Sequence, residues 1–555
     1  MKLPIRNSLI LTLILGGVYT ANAAEFQAIV VDADTHRNLP ARVYLQNESG
    51  EWLFVQSAST EGSALQYREQ WVPMDGSTEL HTTVSPHPFR IDVPPGKYQI
   101  EIEHGKEYLP LKETIDIGPE TNVRTFELRR IVNAAARGWY SGETHVHRRI
   151  SELPNVMLAE DLNVAFPVTF WTIQSDSVPD LQPSPLRRQG PSPFGPRDDR
   201  GTEPIAVDPT HVIIPRNTEY EIFNYAGKPH VLGAVFLLNH RSVMTHTAPP
   251  VKPIAELVHA EGGLLDLDKH SWPWSLMLVP VAKVDLFELS NNSVWRTQFG
   301  FSSVSAPLPD WASFEQRAPG QLTEWGWLNY GFEVYYALLN CGFRIMPTAG
   351  TASGVHPVPL GHSRVYVQTG DEFNSDAWIE GLRNGRSFVT TGPLLFSTIN
   401  NEPPGTTITT PKRQGMDLNI SVESFSALPL IAVEILINGD VAHRWTSAES
   451  PGFTNTVSQG GRFSGNYTLS VNHTSWIAVR CVSQDENGRK RFAHTAPWFI
   501  QVPGTDLVPR KQQVAFFVRQ LESEIERGRP ILSPEVLAEF QEALQVYSDM
   551  LRRAE

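Results

Sequence analysis

The chain has 555 residues, room for three or four domains, and its 41% apolar and 19% charged side chains exclude a disordered polymer. The 46 basic and 60 acidic residues leave a net charge of −14, which argues against nucleic acid as the main partner, because phosphate binding needs a basic face. Two cysteines, Cys341 and Cys481, exclude a disulfide scaffold and a thiolate zinc module and are expected to stay free in separate domains. With 17 histidines available, metal chemistry would run on His, Asp and Glu.

Residues 1–23 read as a signal peptide: Lys2 and Arg6 come first, an apolar run extends from Leu9 to Val18, and Ala21-Asn22-Ala23 is a small-x-small cleavage site. The mature chain is expected from Ala24 onward, in the periplasm or outside the cell. No later stretch reaches 18 uninterrupted apolar residues, so no membrane span is expected. Residues 24–130 alternate with a period of two around the turn Pro94-Pro95-Gly96 and predict a small antiparallel β-sandwich. With its "P-x-G-x-Y" turn it resembles the carboxypeptidase-regulatory type of accessory domain. Residues 131–395 alternate strands with helices, the pattern of a parallel sheet or barrel. Within them, the aperiodic, Pro- and charge-rich stretch at 179–210 is either disordered or a lid. Residues 396–505 predict a second sandwich. Residues 506–555 predict a helical hairpin, with Val514, Phe517, Val518, Leu521 and Ile525 on one face and Ser533-Pro534 opening the second helix.

The strongest chemical signal is GWYSGETHVHRR at 138–149. On a strand, alternate side chains share a face, so Glu143, His145 and His147 point one way, and two imidazoles with a carboxylate can hold a divalent metal. Further donors follow near predicted strand ends: Glu219 and Glu221, His230 and His240, His270, and Glu288. C-terminal strand ends converge in strand–helix barrels, which turns this series into one candidate site. The tryptophans at 272, 274, 325 and 327 are core residues or a platform for a sugar or aromatic ring. No nucleophile elbow surrounds Ser353, and no phosphate or dinucleotide loop is present.

The order of these motifs resembles the PHP (polymerase and histidinol phosphatase) superfamily, and within it the CehA/McbA-type metallohydrolase branch. The residues that carry the resemblance are Glu143 to His147, Glu221, Gly227 to His230, Gly262-Gly263 with His270, and Asp285 with Glu288 and Asn291. Gly350 to Gly354, Gly361 with Arg364, and Gly385-Arg386-Ser387-Phe388-Val389-Thr390-Thr391-Gly392-Pro393 complete it. Together they span roughly residues 131–400. The resemblance implies a central, distorted β/α barrel flanked by N- and C-terminal β-sandwiches and followed by the helical hairpin. It also implies one divalent ion, Zn, Mn or Fe, held by His145, His147, His270 and either Glu221 or Glu288. Asp176, Glu143 or Asp268 would act as base or orient ligands, and Arg364 would bind an anionic or carbonyl oxygen. Ala352 and Gly354 stand where the family carries an aspartate and a histidine; His356 and His362, just downstream, are the replacements on offer. The expected activity is hydrolysis of an ester, amide, carbamate or phosphoester in a small-molecule or glycan substrate. The alternatives are an inactive barrel kept as a scaffold for carbohydrate or cell-surface ligands, and a metal or small-ligand carrier.

Overall fold

The computed structural model describes residues 23–555 except 71–75, 121, 182–197, 301–303, 305 and 412–414. The expected signal peptide, save its last residue, and the middle of the 179–210 stretch lie outside the described residues. In the N-terminal region, Ala24–Asp32 buries Phe26, Ala28 and Val30 by alternation. It belongs to a four-stranded sheet that shares one core with a second sheet built on Ala41–Asn47, Thr78–Val84 and Gly96–Glu103. One pairing departs from the antiparallel expectation: Ala24–Asp32 runs parallel to Asn122–Leu128, so the first and last strands of the region lie side by side.

The central region is organised by ten strands. They are β1 (Trp139–Val146), β2 (Val164–Pro167), β3 (Phe170–Gln174), β4 (Thr218–Tyr225) and β5 (Lys228–Leu238), then β6 (Leu264–Leu267), β7 (Leu286–Ser290), β8 (Met346–Ala349), β9 (Arg364–Gln368) and β10 (Ser387–Thr390). Among the described residues they do not close into a barrel. They form two sheets: β3-β4-β5-β6-β7-β8 is one, and β2-β1-β9-β10 belongs to the other. The first sheet is mixed, with β3, β4 and β6, β7, β8 in parallel pairs around the antiparallel hairpin β4-β5. Five helices accompany them: α1 (Leu153–Ala159), α2 (Lys252–Ala260), α3 (Ser275–Val281), α4 (Glu324–Asn340) and α5 (Ser375–Arg383). Thr323 caps α4 by accepting from Gly326 N at 3.0 Å, and Asn374 caps α5 by accepting from Ala377 N at 2.8 Å.

The boundary expected between residues 395 and 396 falls inside a continuous sheet. Strand β10 pairs with Lys490–Thr495, placing Phe388 opposite Thr495, and the ladder continues through Ser475–Gln484 and Leu430–Ile437. A β10 edge left bare would expose its backbone polar groups, and the C-terminal region covers it. Helices α6 (Lys511–Gly528) and α7 (Pro534–Arg553) pack on each other and on α3. Glu539 of α7 accepts from the backbone N–H groups of Val251 and Lys252, both at 2.9 Å, and so caps α2 from outside. Tyr547 donates to the Leu276 carbonyl at 3.1 Å. Cys341 and Cys481 are both buried and free. No helix among the described residues is long and apolar enough to cross a membrane.

Candidate metal centre

The site lies where β1 faces the inner surface of the β3–β8 sheet. His145 and His147 project together from the end of β1, as the two-residue period requires, and both are buried. Their Nε2 atoms are 3.2 Å apart. His147 Nε2 is 3.3 Å from Glu219 Oε2. On its other side, His145 Nδ1 is 3.1 Å from Glu288 Oε1 and 3.8 Å from Asp268 Oδ1. Two donor groups result, His145–His147–Glu219 and His145–Asp268–Glu288, each with ligand atoms within 4.8 Å of one another. The rings are wedged in place: His145 against Phe236 at 4.3 Å between centroids, His147 against Trp171 at 4.6 Å.

Strand register explains the convergence. Glu219 pairs with Trp171 on β3 and Phe236 on β5, and Phe236 pairs in turn with Asp266 on β6. Asp266 is opposite Leu286 on β7, and Glu288 follows two residues later, opposite Thr348 on β8. Paired residues share a face, so Glu219, Phe236 and Asp266 form one row looking at β1, with Glu288 one step further along.

The electrostatics suit a divalent cation. Asp266, Asp268, Glu219 and Glu288 are all buried, and Glu221 stands beside them. Lys269 is the basic side chain bonded within this set, its Nζ 2.6 Å from Asp268 Oδ2. Asp268 Oδ1 accepts no hydrogen bond from any described residue. Burial pushes Glu221 up to about 7 against the pull of Lys269, and Asp266 up to about 7 despite two bonds from Thr348 Oγ1 at 2.9 Å. Burial, then the charges of Asp268 and Asp266, drives Glu288 well above the carboxylate range. Burial pushes His145 down to about 3, leaving the neutral imidazole that a metal requires. Carboxylates that would hold protons in a dry site give them up to solvent when a divalent ion binds, so the donor set fits such an ion.

Several sequence expectations are corrected here. Glu221 gives way to Glu219: both face the site, but Glu221 lies two residues further along β4, about 7 Å at ordinary strand rise, beside Lys269. His270 joins neither donor group, and Asp268, two residues earlier, takes that place. Glu143 is not free to act as a base. Its Oε1 accepts from Thr351 N at 2.8 Å and from the Thr351 hydroxyl, and its Oε2 accepts from Gly361 N at 2.5 Å. Arg364 is turned to backbone instead of substrate, donating to the carbonyls of Gly361 at 2.6 Å, Glu160 at 3.0 Å and Asp161 at 3.1 Å. Asp176 is exposed on the turn after β3, and no hydrogen bond or ion pair among the described residues joins it to the site. His230 accepts from Arg527 at the far end of β5, and His240 is held between Thr218 and Ser242, so neither is a ligand.

In the segment 350–354, where the resemblance expects an aspartate and a histidine, the backbone is bonded to the histidine strand and the glycines are closely packed. Ala352 N donates to the His145 carbonyl at 2.9 Å, and His147 N donates to the Ser353 carbonyl at 2.9 Å. A Cβ on Gly350 would overlap His145 and Glu288, and one on Gly354, at φ +102°, would sit 2.8 Å from the His147 carbonyl. Ser353 accepts from Arg148 Nε at 2.9 Å, and Arg148 is clamped by Glu79 of the N-terminal region at 2.8 and 2.9 Å. His356 bonds Asn292 at 3.1 Å beside the cluster, while the charges nearest His362 are Lys106 and Arg491; neither joins a donor group. Of the four tryptophans, Trp274 is fully buried core and Trp325 lies under Lys490.

No model of a known protein family matches the chain, and no curated protein sequence matches it.

Proposed function

We propose that this chain is an exported, metal-dependent hydrolase of the PHP type, acting on an ester, amide, carbamate or phosphoester bond in a small-molecule or glycan substrate. The observation that carries the reading is the meeting of His145, His147, Glu219, Asp268 and Glu288, from four strands, in one buried cluster with a single lysine bonded into it. A divalent ion bound there would lower the pKa of water to near neutrality and polarise the substrate's carbonyl or phosphoryl oxygen. Asp268, held through one oxygen by Lys269, would turn its other oxygen to the ion as a ligand and so orient the bound water. Glu143, Thr351 and Arg364 position the loop that backs His145 and take no part in proton transfer.

The scaffold alternative draws on Ala352 and Gly354, but the positive φ and close packing at Gly354 give that residue a structural reason that is independent of activity. The test is the metal content of the mature chain from Ala24, by mass spectrometry, beside a His145→Ala/His147→Ala variant. About one equivalent in the wild type, lost in the variant, is the expected result. No bound Zn, Mn or Fe even after reloading would defeat the hydrolase reading. Metal-loaded protein is then screened on aryl ester, amide and phosphoester substrates.

A further inference from the structure

A cavity of about 550 Å³ opens between the central region and α6, next to the metal cluster. Trp272 and Tyr330 line it from the central region, and Phe516 and Phe517 from α6. His270 forms part of its wall and is only 6% exposed. The ring is set edge-on to Tyr330 at 4.4 Å and against Trp327 at 4.7 Å. Neither its Nδ1 nor its Nε2 has a hydrogen-bond partner among the described residues. A buried imidazole normally satisfies both nitrogens, and one left unmet is destabilising. His270 also stands outside both metal-donor groups, so the cluster does not account for it.

The remaining wall argues for the kind of occupant. Its two charged residues neutralise each other, Arg527 Nε donating to Glu524 at 2.6 Å. Lys269, whose Nζ lies 4.1 Å from the Trp272 ring centroid, is already paired with Asp268. An ionic ligand would find no free counter-charge there. A neutral aromatic ring would meet four aromatic walls, and a hydroxyl or amide on it could both give to and accept from an imidazole.

We propose that this cavity is a binding site for a small, neutral aromatic molecule bearing a hydroxyl or amide group, with His270 as its hydrogen-bonding residue and α6 as the wall that sets its size. Binding in the cavity stands by itself. The further step, that the aromatic group is the non-reacting part of the substrate, rests on the hydrolase reading: Asp268, Lys269 and His270 are consecutive, so the cavity begins two residues from a metal-donor side chain.

The test is a titration of the mature chain with p-cresol and, separately, toluene, followed by calorimetry or ligand-observed NMR. Saturable binding of both to the wild type is expected. His270→Phe should weaken p-cresol about tenfold, the worth of one buried hydrogen bond, and leave toluene within about twofold. Gln520→Trp, which fills the cavity from α6, should abolish both; Ser523→Trp, one turn on, serves if that variant does not fold. His145→Ala should bind p-cresol as the wild type does, which separates failure of the metal reading from failure of this one. Absence of saturable p-cresol binding to the wild type, undiminished binding to the folded Trp variant, or equal weakening of both probes in His270→Phe would each overturn the proposal.

Discussion

Two sets of buried carboxylates lie within a few residues of each other and are treated in opposite ways. Glu143 is fully buried, yet its oxygens are met by two backbone N–H groups and a hydroxyl from the 351–361 loop. Asp268 and Glu288 are equally buried and meet at the same nitrogen of His145, and the cation bonded among them, Lys269, is bonded to Asp268 alone. The first arrangement is a stability device: a satisfied acid stitches a loop to a strand. The second destabilises the metal-free fold, because like charges are held together out of water. A chain keeps that kind of arrangement where a ligand supplies what is missing, and so the site is found by the carboxylates that the protein leaves poorly satisfied.

The largest effect expected from breaking this comparison lies between the two sets, at Gly350. Gly350→Ala forces the backbone away from His145 and Glu288 and should destabilise the protein by about 3 kcal/mol, with loss of bound metal. Urea denaturation with metal analysis reads both. Removing one charge from each set sharpens the contrast. Glu143→Gln should cost about 1–3 kcal/mol and leave metal stoichiometry unchanged, since it gives up bonds to the 351–361 loop and belongs to neither donor group. Glu288→Gln should do the reverse: in the presence of a chelator it should stabilise the protein by about 1 kcal/mol, while the stoichiometry falls. Both variants destabilised alike, with metal retained in both, would erase the distinction. The smallest effect is at Asp176, which is exposed: Asp176→Ala should change stability by less than about 0.5 kcal/mol and leave metal content alone.

Much of the candidate site is legible in the sequence by residue type and period. His145 and His147 meet in one cluster at the end of β1, and Glu288 is buried at the middle of β7. The failures share one form. Glu219 and Glu221 have the same parity on β4, and Asp268 and His270 are likewise two apart, so a period of two gives each pair the same face. Height along β4 separates the two glutamates, since two residues are about 7 Å, more than the reach of a metal–ligand bond, whereas Asp268 and His270 lie past the end of β6 at Leu267, where alternation no longer sets direction. Arg364 and Glu143 failed for another reason: hydrogen-bonding capacity is visible in a sequence, but the partners that consume it are not. Arg364 spends its donors on the carbonyls of Gly361, Glu160 and Asp161, the last two from about 200 positions away in the chain.

The domain layout divides along the same line. Helices α2 and α4 and the strands around Pro94-Pro95-Gly96 follow from local patterning, because periodicity, caps and turn residues act within a few positions. The continuity of β10 with Lys490–Thr495, the parallel closure of Ala24–Asp32 on Asn122–Leu128, and the Glu539 cap on α2 are pairings across about a hundred residues or more. By itself the sequence determined which residues are strand, which are helix, and which faces are polar, since these depend on neighbours in the chain. Register decided which of two equivalent carboxylates meets the histidines, and only the tertiary structure decides register, because it is set by the packing of whole strands against one another.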